Sequence, residues 1–205
     1  MRILNRALIA AIAISLISVT ASAQAQVFTE ASFGGDFSED RNAPTDLGSL
    51  VAGVSTISGT SQSGNADRDH VTFTVDSGFE ITAIQITEFD PSAGGGSFLG
   101  FDNSNVVPNS GGAFLFAGLV NVDSTGPALD IINGVVPDGG GFGGTGFSGV
   151  DLGAGDYSFL FNEVGAVNAN YSAEITVAAV AVPEPGSAIV LAGLGLLAAG
   201  RRRKR

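Results

Sequence analysis

The stretch His70-Val71-Thr72-Phe73-Thr74-Val75-Asp76 alternates apolar and polar side chains without a break. A period of two places Val71, Phe73 and Val75 on one face of an extended chain, and His70, Thr72, Thr74 and Asp76 on the other. A helix would scatter the same residues around its axis. The period recurs along the chain. Residues 79–89 begin with Phe79, Ile81 and Ala83 in phase, then shift to Ile84 and Ile86. A slip of one residue predicts a β-bulge near Ala83. Residues 112–120 and 156–163 are further strands, the second aligning Tyr157, Phe159 and Phe161. Residues 170–180 supply a last strand, and residues 53–60 a weaker one. Turn-forming clusters separate them at 61–69, 90–96, 107–112, 136–146 and 152–156. Between positions 27 and 180 no segment reads as a helix. The expectation is all-β: a single β-sandwich of seven to nine short strands.

Composition agrees and narrows the chemistry. The 30 glycines show no triplet period, so they serve turns rather than a collagen-like repeat. There is no cysteine, which excludes disulfides and a thiol nucleophile. The formal charge of −11 is unevenly spread. Of the basic residues only Arg41 and Arg68 lie in the body, whereas all acidic residues but Glu184 lie between positions 30 and 174. Such a body repels nucleic acid and anionic surfaces and attracts divalent cations or basic partners.

The two ends carry the remaining cations. Arg2 and Arg6 precede an apolar run at 8–19, and small residues follow at 20–25. This is the pattern of a secretory signal, and both Ala21-Ser22-Ala23 and Ala23-Gln24-Ala25 suit signal peptidase. At the other end, residues 186–200 are uncharged and built from Gly, Ala, Leu, Ile, Val and Ser. As a helix they would extend roughly 22 Å, short of the roughly 30 Å hydrocarbon core but within reach through snorkelling and local thinning. Arg201, Arg202, Arg203, Lys204 and Arg205 form the stop, and positive charge stays cytoplasmic, so the body is expected outside. The reading divides the chain into a signal peptide with its helix (1–25), a β-sandwich domain (26–181) and a C-terminal segment (182–205) with one transmembrane helix at 186–200.

Pro183 and Pro185 fix φ at two positions and remove two backbone donors, which leaves a stiff extended stub before the apolar run. Val182-Pro183-Glu184-Pro185, a short Gly/Ala/Leu-rich span and a terminal basic cluster together resemble the PEP-CTERM sorting signal of Gram-negative bacteria. The resemblance implies export by the general secretion machinery with signal peptidase, anchoring in the membrane through the C-terminus, and processing near the motif by exosortase. It also implies delivery to the cell surface or extracellular matrix, in association with exopolysaccharide and biofilm. On this resemblance Pro183, Glu184 and Pro185 are a recognition site in a substrate, not a catalytic site. A second resemblance covers the body. Residues 46–60, 67–86 and 152–161 are similar to the bacterial pre-peptidase C-terminal domain, which implies a jelly-roll-like sandwich; the Gly-rich insert at 138–146 departs from that pattern.

Few residues suggest chemistry within the body. Asp67 and Asp69 flank Arg68 just before a strand, and alternation points both carboxylates the same way. Two carboxylates with loop carbonyls can begin a calcium site, since that ion takes six to eight oxygens. Asp36, Glu39 and Asp40 form another acidic turn. Residues 139–146 lack the Lys and Ser/Thr of a phosphate loop and read as a flexible loop. His70 is the only imidazole, so any serine triad would need it; its place on the polar face of a strand predicts a surface histidine. No catalytic residue is expected, no cofactor beyond calcium, and no nucleic-acid partner. The functional expectation is a non-enzymatic, exported, acidic surface protein with a structural, adhesive or matrix-binding role. The alternatives are a secreted carboxylate-dependent hydrolase and a plain single-span membrane-anchored protein.

Overall fold

In the computed structural model the described residues are 24–62, 67–91, 97–109, 114–132, 150–164 and 168–181. The strands are β1 (Gln26–Thr29), β2 (Thr45–Leu50), β3 (Gly53–Gln62), β4 (Asp69–Val75), β5 (Phe79–Pro91), β6 (Ser97–Asp102), β7 (Phe116–Val120), β8 (Leu129–Asp130), β9 (Gly155–Glu163) and β10 (Asn168–Ala179). They form two five-stranded sheets, in the orders β1-β3-β10-β5-β8 and β2-β4-β9-β6-β7. One 3-10 turn, Glu30–Phe33, interrupts the all-β pattern. No helix among the described residues is long and apolar enough to cross a membrane. Of the expected signal helix (1–25) only Gln24 and Ala25 are described, and they are not helical; the rest of it, the expected span at 186–200 and the basic tail at 201–205 lie outside the described residues.

The strand count corrects the expectation of seven to nine, because ten strands form among the described residues. β8 is only two residues long, too short to show a period. β1 and β2 are edge strands that pair in parallel with β3 and β4, partners distant in sequence. Little alternation is needed on an edge whose pairing partner does the ordering.

Alternation builds the core as expected. Val71, Phe73 and Val75 from β4 and Tyr157, Phe159 and Phe161 from β9 are all at most 3% exposed. Ile175 and Val177 of β10 and Ile84 and Ile86 of β5 face them from the other sheet. Phe161 stacks on Tyr171 of β10 with ring centroids 4.0 Å apart and planes 5° apart, which joins the sheets.

β5 carries the bulge expected near Ala83. Its partners on β10 jump from Ala83 to Ile81, which leaves Thr82 as the extra residue, and a second jump leaves Thr87 unpaired. Both bulged residues are threonines whose hydroxyls donate to β10, Thr82 to Thr176 O and Thr87 to Ser172 O. The bulges let Ile81, Ile84, Ile86 and Phe89 all reach the core despite their uneven spacing.

His70 is a correction. It is only 5% exposed, and Ser38 forms an antiparallel bridge with it along the edge of β4. Its backbone N–H donates to Ser38 O at 2.9 Å, and its ring Nδ1 lies 3.1 Å from the same oxygen. Burial holds its pKa below the ordinary 6.5, against the raising effect of the Ser38 contact. Alternation put the ring opposite Val71 and Phe73; its burial and its contact with Ser38 O depend on a segment distant in sequence.

Candidate cation site

The site forms where the start of β4 meets the N-terminal segment. Asp69 has the same parity as Val71, Phe73 and Val75, so its side chain points to the core side, and it is fully buried. Neither of its carboxylate oxygens has a hydrogen-bond partner. An orphaned buried carboxylate is costly, and native structures avoid it unless something else satisfies the group.

The chain brings two further carboxylates to it. Glu30 opens the 3-10 turn after β1, and its carboxylate accepts the backbone N–H and the hydroxyl of Thr60. Gly34 and Gly35, with φ of +98° and +115°, then reverse the chain so that Asp36 returns beside Glu30. These left-handed values suit glycine, which carries no Cβ to clash. The Gly35 N–H donates to Glu30 O at 3.0 Å and closes the turn. One carboxylate oxygen each from Glu30, Asp36 and Asp69 lie within 4.8 Å of one another. Oxygens about 2.4 Å from a common calcium ion lie at most about 4.8 Å apart, so the three can share one ion. Hard oxygen ligands with no imidazole or thiolate favour calcium over zinc or copper.

Gly59 of β3 supplies the space. A Cβ there would overlap Glu30 Oε1 and the Tyr171 hydroxyl. Tyr171 is 1% exposed, and its hydroxyl, close to Asp69, lacks a formed hydrogen bond.

Crowded charge shows in the acidities. Asp69 is pushed up from 3.8 to about 8, chiefly by burial; the Tyr171 hydroxyl eases it, and Asp67, Glu30 and Asp36 push it further. Asp67 rises to about 6, through burial first and then the charges of Asp36, Glu30 and Glu39. The Tyr171 hydroxyl is raised far above the ordinary range by burial and by Asp69. A divalent cation would reverse this balance by favouring every ionised carboxylate around it.

Of the pair expected from sequence, Asp69 stands in the three-carboxylate cluster and Asp67 does not; Asp67 Oδ1 is buried nearby without a hydrogen bond. Of the acidic turn at 36–40, Asp36 joins the cluster, whereas Asp40 instead accepts from Asn42. Glu30 had no local signal, since only the return of β1 to β3 brings it within reach of β4. The Pro183, Glu184 and Pro185 motif and the Gly-rich loop at 139–146 lie outside the described residues. β10 leads directly toward the motif: the Val180 N–H donates to Gly78 O at 2.8 Å, and the described chain ends one residue later.

Comparison with known proteins agrees with the tail. Residues 181–204 match the PEP-CTERM protein-sorting motif. No curated protein matches the chain. Among solved structures, the pre-peptidase C-terminal domain of collagenase from Bacillus anthracis is similar at 14% identity. The likeness covers 78% of this chain and 99% of that domain, with a TM-score of 0.34. A likeness so slight has no bearing on function.

Proposed function

We propose that this is an exported, non-enzymatic surface protein whose C-terminal segment is read by exosortase at Pro183, Glu184 and Pro185. The acidic β-sandwich is the part displayed. One observation carries the reading: the sorting motif at 181–204 begins immediately after the last core strand. Pro183 and Pro185 fix φ and remove two backbone donors, which favours an extended segment that an enzyme at a membrane can grip. Residues 186–200 hold it there, and the pentabasic tail keeps the far end cytoplasmic.

The displayed domain acts as a structural, adhesive or matrix-binding module, with exopolysaccharide as its surroundings. Calcium held by Glu30, Asp36 and Asp69 ties the N-terminal turn to the sandwich. The buried, unpartnered Asp69 supports this part of the reading.

The intact mass of the surface-displayed protein tests the sorting step. The expected mature chain lacks residues 186–205; a chain that keeps them through to Arg205 overturns processing. Calorimetric titration with calcium tests the cation, and the absence of any binding heat or Tm shift removes it. A polysaccharide pull-down beside a glycan-hydrolysis panel tests the role of the domain, with retention expected and turnover overturning the non-enzymatic reading.

A further inference from the structure

Two bonds in the N-terminal segment carry small residues at the positions signal peptidase reads, Ala23–Gln24 and Ala25–Gln26. Sequence treats them alike, but the folded domain does not. The Gln24 backbone N–H donates to Ala52 O at 3.0 Å. Gln24 O lies 2.7 Å from where a Cβ on Gly53 would stand, so Gly53 leaves open the space that the Gln24 peptide occupies. Gly53 also has φ +128°, and it pairs with Val177 of β10. Position 53 is thus fitted to a residue that a cut after Ala25 would discard.

Gln26 gives an independent argument. Its side-chain Oε1 accepts from the Val51 N–H at 2.9 Å and from the Ser55 hydroxyl at 3.2 Å, while Nε2 reaches Ser49 O at 3.4 Å. This one amide ties β1 to the turn between β2 and β3. A free N-terminal glutamine readily cyclises, its α-amine attacking the side-chain amide carbon and expelling ammonia. At Gln26 that reaction would consume the amide that holds β1. At Gln24 it would spare Gln26, and the lactam N–H would remain a donor for Ala52.

We infer that signal peptidase hydrolyses the Ala23–Gln24 bond and leaves Ala25–Gln26 intact, so that Gln24 is the first residue of the mature chain, seated on Ala52 and Gly53. The step adds one water across the amide, leaving a carboxylate on Ala23 and an amine on Gln24. The inference rests on the export reading above.

The test is the intact mass and N-terminal peptide of the exported full-length protein, with the variants Ala21→Leu and Ala25→Leu. Ala21 belongs only to the first recognition pattern; Ala25 supplies the residue before the second bond and is exposed in the fold. A mature wild-type chain starting at Gln24, intact or lighter by one ammonia, supports the inference. So does an unchanged start site in Ala25→Leu together with lost or displaced cleavage in Ala21→Leu. A wild-type chain starting at Gln26 overturns it while leaving export in place. A chain that keeps Met1 and stays in the cytoplasm overturns the export reading, and this inference with it.

Discussion

Replacing Asp69 by Asn separates a cation ligand from an ordinary structural acid, because the two roles predict opposite signs. In the metal-free protein the carboxyl is held near pKa 8, against an ordinary 3.8. At pH 7 it is therefore largely protonated when folded and ionised when unfolded. At ~1.36 kcal/mol per pH unit, holding that proton costs about 4 kcal/mol as a ceiling. Asn keeps the shape and carries no charge to suppress, so the variant recovers this cost. Against it stands the buried amide, which costs about 1–3 kcal/mol if it finds no partner. The net expectation is a metal-free Asp69→Asn protein more stable than wild type by about 1–3 kcal/mol at pH 7, or roughly 3–10 °C in Tm for a domain of this size. Near pH 4 the unfolded carboxyl is about half protonated, the proton cost falls below about 1 kcal/mol, and the amide cost leaves the variant level with or below wild type. Calcium offsets that gain: at a hundredfold excess over Kd it adds about 2.7 kcal/mol to wild type and little to the variant. Thermal melts with chelator and with calcium, at pH 7 and pH 4, read all four conditions. A variant that melts below wild type in chelator at pH 7, or that keeps the full calcium shift, refutes the reasoning.

Between pH 9 and 7 His70, with its lowered pKa, is neutral in both states, and Asp69 governs the profile. A raised carboxyl stabilises when protonated, so metal-free Tm should rise as pH falls through about 8 and level off above it; a Tm that falls over that interval contradicts the assignment. Gly59→Ala should push a methyl against Glu30 and Tyr171, cost about 1–3 kcal/mol and abolish the calcium shift, which melts with and without calcium would show. Phe161→Ala removes a fully buried ring stacked on Tyr171 and should cost about 3–5 kcal/mol, read as a lowered urea midpoint with the calcium shift still measurable.

Much of this molecule is legible one segment at a time. The two-residue period of β4 and β9, the slip near Ala83 and the tail motif are local patterns, and local patterns survive without knowledge of neighbours. The parity of Asp69 with Val71 and Phe73 was also there to be read, and it marks that carboxylate as inward-facing. The fate of His70 was not, since the Ser38 oxygen that its backbone N–H and ring meet comes from 32 positions away.

The amino-acid order by itself determined that the body would be β-structure with alternating faces, that its charge would be strongly negative, and that a sorting signal would follow its last strand. Those properties depend on side-chain period, composition and adjacent residues. Only the tertiary structure decided that Glu30, Asp36 and Asp69 meet, because a cation site depends on distances of a few ångströms between residues up to 39 positions apart. The parallel return of β1 beside β3, the reversal at Gly34 and Gly35, and the missing Cβ of Gly59 set those distances.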